Sequence, residues 1–176
     1  MPQKQISSKN SIGFTLIELL VVLAVIGILS GIVLVSLSAG RDKAKIAKAQ
    51  SEVRQIHLAI FGLEGNAGQW PGHKTTYRIE QTDDNEICPD GCAYGLNDCR
   101  AGILCDDFAD PYPNWKGPYY PESLIDPWGN EYFFDTDYDI GEGVTKWAVV
   151  IGSYGPNGVG NNLYDDDDII FVIPSR

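Results

Sequence analysis

Histidine is nearly absent from this chain of 176 residues: only His57 and His73 occur, and neither sits in a hydrolase or metal-ligand motif. There is no G-x-S-x-G elbow and no phosphate-binding glycine loop, so the groupings used by common hydrolases and nucleotide-dependent enzymes are missing. Basic residues are scarce in the second part of the chain. Residues 64–176 hold 6 Lys and Arg against 21 Asp and Glu, a net −15 within an overall −11. A surface this acidic repels phosphate backbones, which argues against nucleic acid as a partner and favours cations or basic partners. Solubility alone also accounts for it. Proline is missing between Pro2 and Pro71, so nothing in that interval forces a helix to stop.

What is there begins with hydrophobicity. From Phe14 to Leu37 the only clearly polar residues are Thr15, Glu18, Ser30 and Ser36, a run long enough to cross a bilayer as a helix. The polar stretch 1–13 before it carries Lys4 and Lys9, and no A-x-A site follows the run, which argues against a conventional secretory signal. Arg41, Lys43, Lys45 and Lys48 crowd the other flank, so charge alone does not fix an orientation. Helical character continues past the run: Ile46, Ala49, Val53, Ile56, Ile60 and Leu63 recur at steps of three and four, a stripe that packs against the rest of the chain. His57 lies beside that stripe. Gly65, Asn66 and Gly68 supply the stop, so one helix is expected over Phe14–Leu63, about 75 Å at ~1.5 Å per residue.

Glu18 is the costly residue of the apolar run. A carboxylate in a hydrocarbon segment loses a few kcal/mol on insertion scales and needs a partner. If the chain is cut before Phe14, the new α-amino group lies four residues away, and one copy's Glu18 neutralises its neighbour's terminus; the alternative is a carboxylate that snorkels to the edge. Cys88, Cys92, Cys99 and Cys105 fall within eighteen residues of a Gly, Asp and Asn-rich stretch. Disulfides fit this stretch, with three pairings open, and imply an oxidising compartment. Zinc is the rival, but the C-x3-C-x6-C-x5-C spacing lacks paired knuckles.

The run Gly13-Phe14-Thr15-Leu16-Ile17-Glu18-Leu19-Leu20 resembles the processing signature of type IV pilins and type II secretion pseudopilins. The resemblance implies cleavage by a prepilin peptidase between Gly13 and Phe14, N-methylation of Phe14, and Glu18 as the assembly carboxylate. It also implies a leader that stays cytoplasmic and a head outside. Many relatives carry a proline in the second half of the apolar helix; this chain has Gly27 and Gly31 instead, in a G-x-x-x-G spacing. Gly117-Pro118-Tyr119-Tyr120 and Asp126-Pro127-Trp128-Gly129-Asn130-Glu131-Tyr132 are similar to segments of the major pseudopilin of type II secretion. Read on its own, the second is a turn opening into the strand Tyr132-Phe133-Phe134, with Trp147–Ile151 and Ile169–Ile173 as the next two strands.

Between those last strands lie Ser153-Tyr154-Gly155-Pro156-Asn157-Gly158 and Asp165-Asp166-Asp167-Asp168. Four adjacent carboxylates repel one another unless neutralised, and calcium accepts six to eight oxygens, including carbonyls that a Gly-rich loop turns inward. The resemblance implies a calcium site here, matched to Tyr154, Asn157, Asp166 and Asp168, with Asn157 where relatives have Asp. Asp135-x-Asp137-x-Asp139-x-Gly141 is a rival acidic segment, but Ile140 and Lys146 occupy positions where an EF-hand needs Gly and Glu.

The expectation is an α+β, type IV pilin-like fold. It has a leader over 1–13, a membrane-spanning half-helix over 14–37, a periplasmic half over 38–65 and a head over 66–176 in which the long helix packs on a small antiparallel sheet. The head contains the cysteine loop 88–105 and a sheet with an acidic loop over 126–173. The expected role is a structural, non-enzymatic subunit of a type II secretion-like pseudopilus, closest to the major pseudopilin. Its expected location is single-pass in the cytoplasmic (inner) membrane, with the head periplasmic or extracellular. Its expected partners are its own homo-polymer, minor pilins or pseudopilins, prepilin peptidase, an inner-membrane assembly platform and the cytoplasmic membrane, with no nucleic acid. The alternative is a type IV pilus pilin for adhesion, motility or DNA uptake.

Overall fold

The chain is described here as a computed structural model that covers residues 14–74, 76–77, 95–121, 123–141, 146–160 and 164–174, without the side chains of 32–36. The leader with Gly13, and Cys88 and Cys92, lie outside these residues. Helix α1 runs Leu16–Ala67, followed by 3₁₀ turns at Pro71–His73 and Cys99–Ala101 and by strands β1 (Phe133–Asp139), β2 (Trp147–Ser153) and β3 (Ile169–Ile173). The chain divides into two compact units, Met1–Asp42 and Lys43–Arg176.

In the second unit, α1 ends where the sequence places its stop. Gly68 takes φ +71°, open to glycine at little cost, and its N–H closes the last turn on the Glu64 carbonyl at 2.8 Å. The stripe is buried as its period requires: Ala49, Val53, Ile56, Ile60 and Leu63 are covered, while Ile46 remains 39% exposed at its upper end. The sheet is antiparallel in the order β1-β2-β3. Alternation along the strands sends Phe134, Val149, Ile151 and Ile173 into the main core with the α1 stripe, and Phe133, Tyr138, Ala148 and Val150 to the opposite face, where Tyr154 packs on them. Both faces are therefore covered, the second by side chains from the segments around the acidic loop.

β1 extends five residues beyond the expected Tyr132–Phe134 and carries Asp135, Thr136 and Asp137 almost fully buried, with a bulge between Asp135 and Tyr138. The bulge inserts one extra residue opposite β2, and the Asp135 carboxylate accepts the Asp137 N–H at 2.8 Å. The acidic residues of this segment are thus part of a strand. Cys99 and Cys105 are joined by a disulfide. Their loop puts Ala101 and Ile103 in the core, with the Trp115 indole donating to the Gly102 carbonyl at 2.7 Å.

The expectation of a membrane-spanning half-helix, and with it a single-pass inner-membrane location, is corrected. Among the described residues, no helix is long and apolar enough to cross a membrane. From Arg41 onward Asp42, Lys43 and Lys45 bring charge.

Candidate functional site

Two places carry the residues singled out by the sequence. The first is the start of α1. Thr15 stands just before the helix and Glu18 three residues on, the T-x-x-E arrangement of a capping box. The Glu18 carboxylate oxygen Oε2 accepts the Thr15 N–H at 2.8 Å and its hydroxyl at 2.6 Å, and Thr15 Oγ1 accepts the Glu18 N–H at 3.3 Å. The Thr15 hydroxyl first, and its N–H second, hold the Glu18 carboxyl below the usual carboxylate range. The acid is therefore ionised, and among the described residues Oε1 carries no hydrogen bond. Around it the helix start is bare. Phe14 is 92% exposed, and Leu16, Ile17, Leu19, Leu20, Leu23, Ile26 and Leu29 are all exposed. Gly27 and Gly31 meet no neighbouring atoms on this surface.

The second place is the loop between β2 and β3, which is built on the Asp126 turn. Asp126 is buried, and its Oδ1 accepts the N–H groups of Trp128, Gly129 and Asn130 at 2.9, 2.8 and 2.9 Å. Its Oδ2 accepts the Ser153 hydroxyl at 2.6 Å, and Ser153 Oγ in turn accepts the Gly155 N–H at 3.0 Å. The D-P-W-G segment thus works as a clamp on the end of β2. Gly155 has φ +61°, and a Cβ there would collide with the Asp167 carbonyl oxygen, so the close approach of the two loop arms requires glycine.

Within the loop, Asn157 donates through Nδ2 to Asp165 Oδ2 at 2.9 Å and to Asp167 Oδ1 at 2.7 Å, and its backbone N–H reaches Asp167 Oδ2 at 3.0 Å. This amide holds Asp165 below the usual range, whereas partial burial first, and then the adjacent Asp165, push Asp167 up. Asp168 is 8% exposed. Its Oδ2 accepts the Tyr138 hydroxyl at 2.7 Å and the Asp165 N–H at 2.8 Å, while its Oδ1 is buried without a partner. Burial pushes the Asp168 carboxyl up to about 6. Tyr154 is buried against Phe133, with ring centroids 4.4 Å apart, and its carbonyl accepts the Gly158 N–H at 3.2 Å.

Of the four residues picked from sequence, Tyr154, Asn157 and Asp168 line the folded loop, and Asp166 is exposed in its turn. Asp165 and Asp167, rather than Asp166, engage Asn157. Sequence reasoning also missed the capping role of Thr15, visible in the T-x-x-E spacing, and the Asp126 clamp, which follows from Asp before a Pro-x-Gly turn. Among the described residues no group of three His, Cys, Asp or Glu side chains is arranged to hold a metal ion.

Residues 8–34 match the model of the prokaryotic N-terminal methylation motif. The chain is 28% identical over 159 residues to the type II secretion system core protein G of Pseudomonas aeruginosa, covering 89% of this chain and 92% of that protein. It is 27% identical to the protein of the same name from Klebsiella pneumoniae, covering 89% and 91%. A fimbrial protein of Neisseria meningitidis is 34% identical over 72 residues, 41% of this chain and 42% of that one. No solved structure gives a significant match. Over most of its length, and at moderate identity, the chain is homologous to the type II secretion system core protein G of several bacteria.

Proposed function

We propose that the protein is a filament subunit of a secretion system, trimmed between Gly13 and Phe14 by a prepilin peptidase and polymerised through the start of α1. The observation that carries this reading is the exposure, over Phe14–Leu29, of twelve large apolar side chains on one short stretch. Each gains about 1.5–3 kcal/mol when fully covered, so the stretch is a surface waiting for an apolar partner. Further copies of the same helix supply one. A helix apolar on all sides is the kind found in the middle of an assembly.

Glu18 gives the packing its register. The capping bonds from Thr15 keep its carboxylate ionised while Oε1 stays available. A trimmed neighbour's Phe14 amine answers that charge, and the N-methyl group leaves the amine basic. Minor pseudopilins and an inner-membrane assembly platform are the further partners this role requires. The fimbrial relative supports a second reading within the same architecture, a surface pilus pilin, and the staple Cys99–Cys105 suits an exposed fibre. Immunogold microscopy separates the two: label confined to the envelope supports the secretion filament, and label on surface fibres supports the pilus.

Calcium binding in the acidic loop is part of the same proposal, supported by the chemistry of its donors and not by a preformed cluster. Asp168 has a buried, unpartnered oxygen, and the loop draws a positively polarised side-chain group, the Asn157 amide, between two carboxylates. Asp168, Asn157 and the Tyr154 carbonyl would hold the ion, with Asp166 joining them only by turning inward from its exposed position, and binding would neutralise the Asp run and tie β2 to β3. The assembly reading is tested by co-expression with a prepilin peptidase. Glu18→Ala is expected to be trimmed normally and to yield no filaments, with Glu18→Gln failing likewise. Wild-type filament yield from either variant refutes the charge-pairing step.

A further inference from the structure

We propose that Phe108 of one copy seats in a socket between α1 and β3 of a second copy, forming a head-to-head-neighbour contact within the filament. The inference rests on the polymer reading above and names a contact that reading does not require. Phe108 is 93% exposed, yet it is held out by a fixed loop. Asp107 Oδ1 accepts the Ala109 and Asp110 N–H groups at 2.8 and 3.3 Å, and Asp106 accepts the Tyr112 N–H at 2.9 Å. Tyr112 is itself buried, and its hydroxyl donates to the Arg100 carbonyl at 2.9 Å, next to the Cys99–Cys105 staple. A large aromatic ring on a pre-ordered loop has the properties of a binding anchor: much apolar area and little entropy left to lose.

The same unit carries a matching recess. A cavity of about 290 Å³ opens between α1 and the end of β3, walled by Ile60, Phe61, Trp70, Phe171 and Ile173. An apolar cavity of roughly 150 Å³ already takes a benzene molecule, so a phenyl ring fits with room for its loop. Phe61 is 53% exposed at the rim. The one acid in the wall, Glu64, already accepts hydrogen bonds from the Trp70 indole and the Tyr77 hydroxyl at 3.2 and 3.1 Å. The charges match across the contact. Exposed Asp110 lies two residues from the knob, and exposed Arg54 lies on α1 one turn before His57 of the socket wall, so an acid beside the knob meets a base beside the socket. Knob and socket are different surfaces of one chain. A contact between them is therefore heterologous, and repeated along an axis it does not close, which is what a filament needs.

The test uses the full-length, trimmed chain with the photo-crosslinker p-benzoylphenylalanine at position 108, in a mixture of isotopically light and heavy copies. Crosslinks are expected between light and heavy copies, landing on peptides that contain residues 57–64 or 169–174. Phe108→Ala and Phe61→Ala are each expected to raise the critical concentration for polymerisation about 30-fold, and the double variant no further, with the melting temperature of each unchanged. Crosslinks within one copy, at another surface of the second copy, or only to a different protein overturn the inference and leave the polymer reading standing. Polymerisation of Phe108→Ala at the wild-type concentration does the same. Failure of the wild-type chain to self-associate overturns both.

Discussion

Replacing Asp126 with alanine tests whether the turn after Leu124 is the support of the acidic loop. The carboxylate is 4% exposed and makes four hydrogen bonds, three to consecutive N–H groups and one from the Ser153 hydroxyl. Bonds to a charged group contribute about 1.5–3 kcal/mol each. They do not add, because three share Oδ1 and the freed turn N–H groups regain some water. A loss of about 4 kcal/mol is expected. For a unit of Lys43–Arg176, 1 kcal/mol moves Tm by about 4 °C, so calorimetry of the full chain should show a fall of about 15 °C. Asp126→Asn keeps an acceptor at Oδ1 and presents an amide to Ser153 Oγ, which can turn to accept it; about 5 °C is expected. Calcium affinity should fall in the same order, since Ser153 anchors the loop at Gly155. An alanine variant that melts within 2 °C of wild type refutes the clamp.

Three further outcomes follow from the same contacts. Ile60→Ala removes a fully buried side chain from the centre of the α1 stripe and should cost about 2–5 kcal/mol in denaturant unfolding; a cost under 1 kcal/mol would mean that the stripe does not face the core. Gly155→Ala should be destabilising and should weaken calcium binding measured by titration calorimetry, because the added methyl meets the Asp167 carbonyl; unchanged binding contradicts the loop geometry. In chelator, the raised Asp168 pKa gives a defined pH dependence. Its folded value, about 6, lies above the ordinary value of 3.8, so between these the folded state holds the extra proton and this group's contribution to stability falls as pH rises from about 4 to about 6. Excess calcium should abolish that fall by holding the carboxylate ionised, and a fall that persists in calcium argues against Asp168 as a ligand.

Much of this architecture was legible because its signals are periodic. The steps of three and four from Ala49 to Leu63 gave the buried face of α1, and β3 appeared at the residues expected, Ile169–Ile173. The start of the helix is legible as chemistry but not as a setting: its apolar run suggests a bilayer span, whereas among the described residues no helix is long and apolar enough for one. β1 was read too short because Asp135 and Asp137 look like turn residues, and only the bulge explains how a strand keeps them inside. In the acidic loop, sequence matching chose Asp166, but spacing along the chain cannot say which of four consecutive carboxylates face inward. The fold turns Asp168 in and Asp166 out. Phe108 had no sequence signal, since an exposed aromatic and a buried one look alike in a list of residues.

The claim on which the rest depends is that the bare apolar start of α1 is covered by other copies of the chain once Phe14 is freed. Electron microscopy of the full-length protein after trimming at Gly13–Phe14, with the N-terminus verified by mass spectrometry, addresses it directly. The account predicts filaments from the trimmed wild type and none from the uncut chain. Trimmed protein that stays monodisperse at every concentration, with Phe14–Leu29 still open to solvent, would contradict it.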